Sequence, residues 1–399
     1  MIERAAEGVL GLLALPVLLA SGYLLLLTFL SRRLAPPPPV EPRVRFDVVV
    51  PAHDEEPGIA STVRSLLAVD YPPELRRVVV VADNCTDATA DCARGAGATV
   101  LVRQDAQRRG KGYALECAFA SSLSDGRADA VVVVDADSDV SQNLLRAFAA
   151  RLEAGAPAIQ AFYGVRNPDA SWRTRLMTVA LALFHLLRSL GRERLRCSTG
   201  LRGNGMCFSA RVLAEVPHEA FSIVEDLEYG IRLGIAGHRV HFAAEAQVLG
   251  DMAVGGKAAS VQRRRWEGGR LQMARQFGFP VLWRGVRAGD RVLVDLGLDL
   301  LVPPLAYLAA AAVAGTTASV GASWLAGRTL WPVWPWAASL ASLVLYVARG
   351  WWLSGTGIRG LLGLVGAPVY LVWKLGLMMR SRGESGKAWV RTPRDGSAR

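Results

Sequence analysis

The chain has 399 residues, 51% of them apolar, a positive mean hydropathy and a formal charge of +11 from 46 basic and 35 acidic residues. That length exceeds one small domain and supplies ample material for a large core. The apolar excess gathers at the two ends, with arginines beside it at Arg32, Arg33, Arg43 and Arg45 and again from Arg263 to Arg291, a placement that favours a membrane surface and excludes nucleic acid as the expected partner.

Residues from Gly8 to Leu30 are almost uninterrupted apolar, long enough to span a bilayer. A signal peptide is the competing reading, but the stretch is too long for a typical apolar core and no small-residue cleavage site follows. Arg32-Arg33 follow instead, which places this flank in the cytoplasm, and Pro36 to Pro39 make a short stiff linker. Residues 1–35 are thus expected to be a transmembrane helix with a basic flank, and 36–45 a linker.

From Phe46 to about Phe242 strands and helices alternate. β-Branched runs at Phe46–Val50, Val78–Val81, Thr99–Val102 and Val131–Val134 read as strands. Pro57–Ala68, Gly112–Ser122 and Gln142–Leu152 read as helices. Continuous apolar strands alternating with helices predict an α/β domain built on a parallel sheet covered on both faces. Trp172–Leu187 is very apolar, but His185 and the flanking arginines argue against a span, so a buried or membrane-facing helix is expected.

Further apolar segments lie at Val292–Val320, Trp331–Val347 and Leu361–Met379. The first carries Asp295 and Asp299 near its start, and the third contains Lys374 and several glycines. Three spans here would put the basic tail, residues 381–399, outside, against the positive-inside rule; an interfacial or re-entrant third segment removes the conflict. All five cysteines fall in the middle region, an odd number without zinc-ligand spacing, and are expected as reduced thiols.

In an open parallel sheet, ligands bind just beyond the carboxyl ends of the strands. Three strands end in polar residues: Pro51-Ala52-His53-Asp54-Glu55, Asp83-Asn84 and Asp135-Ala136-Asp137. Three independent positions therefore fall on one rim. Asp135 and Asp137 suit a hard cation such as Mg2+ or Mn2+. The competing reading is a helix cap by Ser138, Asp139 or Ser141, which leaves several acids unexplained. Asp83 suits a hydrogen bond from a base edge, or a turn. Lys111, between Gly110 and Gly112 at a helix start, suits a phosphate or a solvated loop. Glu225-Asp226 precede a helix at Leu227–Leu233 and offer either a general base or first-turn acids. Gln262, Arg265 and Trp266 share a helix face suited to a diphosphate and a sugar ring, or to a membrane interface. His53 and His185 lack partners at metal spacing and are expected to be packed or surface histidines.

With these residues in place, the chain resembles the membrane-bound family 2 glycosyltransferases of the GT-A, Rossmann-like fold. That group includes cellulose, hyaluronan and chitin-oligosaccharide synthases and ceramide glucosyltransferase. The matching pieces are Val50 to Glu55, Asp83, Asp135-Ala136-Asp137, Glu225-Asp226 and Gln262 to Trp266, in the family's order. The resemblance implies a catalytic domain over residues 46–285, flanked by transmembrane helices with a C-terminal membrane region over 286–380. It implies inverting transfer from a UDP-sugar, of glucose or N-acetylglucosamine type, to a lipid or growing polysaccharide. Asp83 would contact uracil, with Pro51, Ala52, His53 and Glu55 on the donor side. Asp135 and Asp137 would hold the diphosphate, Asp137 on Mg2+ or Mn2+. Asp226 would be the catalytic base. Gln262, Arg265 and Trp266 would close over diphosphate and acceptor, with Lys111, Gly203, Asn204 and Glu225 nearby. Asp54 departs from the asparagine usual in the family. The implied setting is a multi-pass inner-membrane protein with a cytoplasmic catalytic domain, in contact with membrane lipids and open to homo-oligomerisation. The alternative is a catalytically silent membrane protein that senses UDP-sugars, a reading that gives Asp226 no task.

Overall fold

The computed structural model describes residues 2–254 and 266–366. A long helix, α1 (Ile2–Leu30), precedes the sheet domain. The strands are β1 (Phe46–Ala52), β2 (Arg76–Asp83), β3 (Thr99–Arg103), β4 (Ala130–Val133), β5 (Ser138–Val140), β6 (Ala158–Val165), β7 (Met206–Ser209) and β8 (Val240–Gly250). Between them run α2 (Glu56–Leu67), α3 (Thr89–Gly95), α4 (Lys111–Ser124), α5 (Leu144–Glu153), α6 (Trp172–Leu181), α7 (Arg188–Arg194), α8 (Ala210–Glu215) and α9 (Glu225–Ile235).

The sheet order is β3-β2-β1-β4-β7-β6-β8-β5. Strands β1 to β4 are parallel, as expected, with Val48 opposite both Val78 and Val132. The other half corrects the expectation of an all-parallel sheet. β7 runs antiparallel to β4 and to β6, and β5 antiparallel to β8. The reversal starts at the rim, where Gly203 (φ 77°) and Gly205 (φ 68°) take left-handed conformations that favour glycine. Gly205 N–H then donates to Val133 O at 3.0 Å, so β7 begins where β4 ends. Apolar runs reveal burial but not strand direction, so this turn decides it.

Alternate side chains of the buried strands feed two cores. Val48, Val50, Val80 and Val132 pack against Ile59 and Val63 of α2 and Phe148 of α5. Val49, Val79, Val131 and Val133 pack against Leu115 and Phe119 of α4 and Tyr229 and Leu233 of α9. Burial on both faces explains why these strands read as unbroken valine runs.

The Trp172–Leu187 segment is α6 continued by a π-type turn, Ala182–Leu187, which places His185 in the interior with Nδ1 2.9 Å from Tyr163 O. All five thiols are free.

Past β8 come α10 (residues 266–273), α11 (Phe279–Ala288), α12 (Arg291–Leu301), α13 (Leu305–Leu325), α14 (Val333–Ser354) and α15 (Gly357–Val365). The expected single segment Val292–Val320 is two helices. Pro303-Pro304 break it, because proline lacks the N–H and clashes with the preceding turn. Among the described residues, two helices, α1 and α13, are long and apolar enough to cross a membrane. They meet α14 in one apolar cluster that includes Leu24, Leu27, Ala312, Trp336 and Leu343. Leu12, Phe29, Val313 and Trp324 stay exposed on their outer faces. The third apolar segment, Leu361–Met379, is described only as far as residue 366, and the basic tail lies outside the described residues.

Phe148 is completely buried between α5 and the sheet. Phe148→Ala is expected to cost about 3–5 kcal/mol of stability, read as a lowered thermal unfolding temperature of the purified chain.

Candidate active site

Because β1, β2 and β4 are parallel neighbours, their carboxyl ends open on one rim, where the expected residues collect. Pro51 and Ala52 are the last, buried residues of β1, opposite Val81 and Ala82. His53 follows, with Nδ1 2.8 Å from Asp83 O, which ties the first rim loop to the second. Asp54 (φ 55°) and Asn84 (φ 52°) turn the chain in left-handed geometry, a conformation that short polar side chains tolerate. Glu55 N–H donates to Thr89 Oγ1 at 2.8 Å.

Asp83 is fully buried. Its Oδ1 accepts from Arg103 Nη1 at 2.6 Å and Asn84 Nδ2 at 3.0 Å. Its Oδ2 has no hydrogen-bond partner among the described residues. A buried acceptor left unpaired is costly, and here it offers one acceptor to a ligand N–H.

Lys111 begins α4 and is the centre of the site. Gly112 allows the close approach that puts it there, since a Cβ at 112 would lie 2.3 Å from Ala220 O. Lys111 Nζ donates to Asp135 Oδ1 at 2.5 Å and to Gly203 O at 2.6 Å, and stands 3.6 Å from Glu225 Oε1. Asp226 completes the group: a Cβ at Gly203 would sit 3.4 Å from Asp226 Oδ2 and 3.7 Å from Lys111 Nζ. Glycine at 203 thus keeps the space in front of Asp226 clear. Asn204 is fully buried and braces the turn, its Oδ1 accepting from Asp135 N–H at 3.1 Å and its Nδ2 donating to Ser138 Oγ at 2.7 Å.

The helix-cap reading of the acidic turn does not hold. Asp135-Ala136-Asp137 lead into β5, and α5 starts only at Leu144. Ser138 is used by Asn204, Asp139 pairs with Arg166 at 3.0 Å, and Ser141 Oγ accepts from Gln247 N–H at 2.9 Å. Asp137 is half-buried beside Asp135. Glu225 and Asp226 form the first turn of α9, as the first-turn reading expects, and they also face Lys111.

Burial pushes the Glu225 carboxyl up to about 7; Lys111 opposes this and Asp226 adds to it. Burial also raises Asp226, against a backbone hydrogen bond from Leu227 and the charges of Lys111 and Arg202. Burial alone would lower the Lys111 ammonium, but Asp135 and Glu225 hold it above its ordinary value. The site therefore holds one fixed cation and carboxyls poised to take a proton.

Trp266 is the first described residue of α10 and packs on the apolar cluster of Val165, Leu181 and Met252. Gln262 and Arg265 lie outside the described residues. Another acidic cluster, Asp54 with Cys85 and Asp87, brings potential ligand atoms within 4.8 Å of one another. Its carboxylates already serve the loop, since Asp54 Oδ1 accepts from Thr86 N–H at 2.7 Å and Asp87 Oδ2 from Glu56 N–H at 3.1 Å.

Sequence reasoning missed Arg103, whose role depends on β3 pairing beside β2. It also missed the Tyr113–Phe221 stack (centroids 4.3 Å apart) beside the Lys111 helix start, with Arg108 4.9 Å from the Tyr113 ring. No local pattern marks these residues.

This chain belongs to the glycosyltransferase-like family 2, which it matches over residues 42–278, more than half its length. It is 30% identical over 245 residues to the beta-monoglucosyldiacylglycerol synthase of Synechocystis sp. (strain ATCC 27184 / PCC 6803 / Kazusa), covering 56% of this chain and 47% of that one. It is 23% identical over 242 residues to the probable glycosyltransferase YdaM of Bacillus subtilis (strain 168), covering 58% and 57%. The chain thus spans about half the length of the curated relatives it matches. In structure it is similar to the mannosyltransferase PcManGT from Pyrobaculum calidifontis, solved with GDP-Man and Mn2+, at a TM-score of 0.53 and 18% identity. That likeness covers 86% of this chain and 99% of the other, and it identifies the fold, the α/β GT-A architecture.

The raised Glu225 carboxyl has a measurable consequence. Its folded-state value, about 7, exceeds the ordinary 4.5, so the folded chain binds this proton more tightly than the unfolded chain does. Stability therefore falls as pH rises from about 4.5 to 7 and stays lower above that window. Glu225→Gln is expected to flatten this slope in unfolding temperature against pH.

Proposed function

We propose that this chain is an inverting glycosyltransferase that moves a sugar, of glucose or N-acetylglucosamine type, from a UDP-sugar to a lipid or saccharide acceptor at the membrane surface. The observation that carries this reading is the convergence of Asp135, Gly203 O and the Glu225-Asp226 pair on Lys111 Nζ, at the ligand-binding rim of a GT-A sheet. Residues 46–285 carry the catalysis, and α1 with the apolar region over 286–380 holds it at the cytoplasmic face of the membrane. The name of one relative, a monoglucosyldiacylglycerol synthase, supports glucose as donor sugar and a lipid as acceptor.

In this reading Asp83 Oδ2 accepts a hydrogen bond from the uracil N–H, and Pro51, Ala52, His53 and Glu55 form the rest of the nucleoside side. The chemistry of the donor set fits a hard divalent cation: Asp135, which accepts from the Lys111 ammonium, and Asp137, two residues on, both carry carboxylates. Mg2+ or Mn2+ held there supplies positive charge to the diphosphate. Lys111 and Arg265 add fixed positive charge on the same group. Asp226 takes the proton of the acceptor hydroxyl as its oxygen bonds to the anomeric carbon. The bond from that carbon to the diphosphate breaks on the opposite face, UDP leaves with the electron pair, and configuration inverts. Glu225, whose carboxyl burial raises, flanks the base and faces Lys111. Asn204 fixes the turn that positions Lys111, while Gln262 and Trp266 close on the acceptor.

Asp226→Asn is expected to keep UDP binding and to lower transfer by about 10²-fold or more. UDP affinity by calorimetry and UDP release in lipid check this together. Transfer at near wild-type rate in that variant would remove Asp226 as the base. Chelation of divalent cations is expected to weaken UDP binding to the wild-type chain and to stop release.

A further inference from the structure

Between the rim and the apolar helices lies a charge cluster that the proposed reaction does not use. Arg188 and Arg192 come from α7, Arg202 directly precedes the Gly203 turn, and Arg270 lies on α10. Asp295 and Asp299 face them from α12. Arg192 Nε donates to Asp295 Oδ2 at 2.6 Å, and its Nη1 stands 3.4 Å from Asp299 Oδ2. Arg188 Nη1 donates to Asp299 Oδ1 at 3.1 Å, and Arg270 Nη2 reaches Asp299 Oδ2 at 3.5 Å. Arg202 finds no carboxylate within bonding distance among the described residues and donates from Nη2 to Thr199 O at 3.0 Å. The guanidinium carbons of Arg202, Arg188 and Arg270 stand 4.2, 5.0 and 5.1 Å from the centroid of one ring, that of Phe184.

The charges do not balance. By direct contact the four guanidiniums share two carboxylates, with Asp226 a more distant negative charge opposite Arg202; Tyr23 OH donates to Asp295 and Tyr346 OH accepts from Arg188. Arg192 and Arg202 are only 1% and 8% exposed. Arg192 Nη2, Arg202 Nε and Arg270 Nη1 have no hydrogen-bond partner among the described residues. Uncompensated buried charge with vacant donors is strongly unfavourable. Burial and the like charges of Arg192, Arg270 and Arg188 accordingly pull the Arg202 guanidinium down to about 9, against Asp299.

We propose that Arg188, Arg192, Arg202 and Arg270 form an anion site for the phosphate of a membrane-lipid headgroup, beside the acceptor side of the active site. A phosphate answers both deficits, because it brings more than one acceptor oxygen and up to two negative charges to guanidiniums suited to bidentate contact. A carboxylate brings a single charge and two oxygens to three vacant donor nitrogens. A lipid source fits the surroundings, since Tyr23 and Tyr346 belong to α1 and α14, helices of the apolar cluster. The active-site connection is covalent: Arg202 is bonded to Gly203, whose carbonyl holds Lys111. The site rests on the proposed function only for its place next to an acceptor.

The test uses the purified full chain in neutral maltoside micelles. Dioctanoyl phosphatidic acid, dioctanoylglycerol and inorganic phosphate are titrated separately, and UDP with Mg2+ is titrated as an independent arm. Dioctanoyl phosphatidic acid is expected to bind saturably, about tenfold or more tighter than either dioctanoylglycerol or inorganic phosphate. Arg202→Gln and Arg270→Gln are expected to weaken it by about tenfold, whereas Arg284→Gln, an exposed arginine on α11, leaves it unchanged. Equal binding of phosphatidic acid and dioctanoylglycerol overturns the site, a result that needs no variant to fold. Inorganic phosphate binding as tightly as the lipid overturns the lipid assignment. A loss in Arg284→Gln equal to that in Arg202→Gln also overturns the site, by showing diffuse surface attraction. Failure of UDP to bind while phosphatidic acid remains selective sinks the glycosyltransferase reading and leaves this one standing.

Discussion

The ammonium of Lys111 is the contact on which the site depends. It ties the end of β4, through Asp135, to the Gly203 carbonyl and the acidic start of α9. Without a cation there, Asp135, Glu225 and Asp226 would repel one another in a poorly solvated corner, and burial would drive protons onto Glu225 and Asp226. The fold delivers this contact through small residues. Gly112 lets α4 touch Ala220 O, and Gly203 turns the chain without a side chain in front of Asp226. Asn204 then locks the turn to the backbone of Asp135.

Much of this was legible in the sequence. Valine runs with polar ends mark β1, β2 and β4 and put Asp83 and Asp135 on one rim. The resemblance to family 2 glycosyltransferases supplied Asp226 and the Gly203-Asn204 turn, which local patterns alone left open. What stayed hidden depends on distant partners. The antiparallel entry of β7 is set by backbone turns at Gly203 and Gly205, and hydrophobic patterning carries no direction. Arg103 meets Asp83 only because β3 pairs with β2. Pro303-Pro304 were visible, yet apolar continuity across them suggested one segment where the backbone makes two.

The two aspartates of α12 show the same limit in another form. In sequence they only blur where the apolar segment Val292–Val320 begins. In the structure they face inward toward arginines some hundred residues earlier, and α12 lies between the catalytic half and the apolar helices. Polar residues in an apolar helix therefore mark an internal junction here. That junction physically couples α1 and α14 to the turn that holds Lys111, so the apolar half contributes to the architecture of the site.

This rim is expected to transfer sugar and to do more than bind nucleotide. The most direct measurement supplies separate radiolabelled UDP-sugars, with Mg2+ or Mn2+, to the purified chain in lipid and sorts label into nucleotide, lipid-soluble and polymeric fractions. The account predicts that one UDP-sugar passes its label to a lipid or saccharide product, with matching release of UDP. UDP-sugars that bind yet keep all their label, across lipid and saccharide acceptors, would contradict it and leave a sensor.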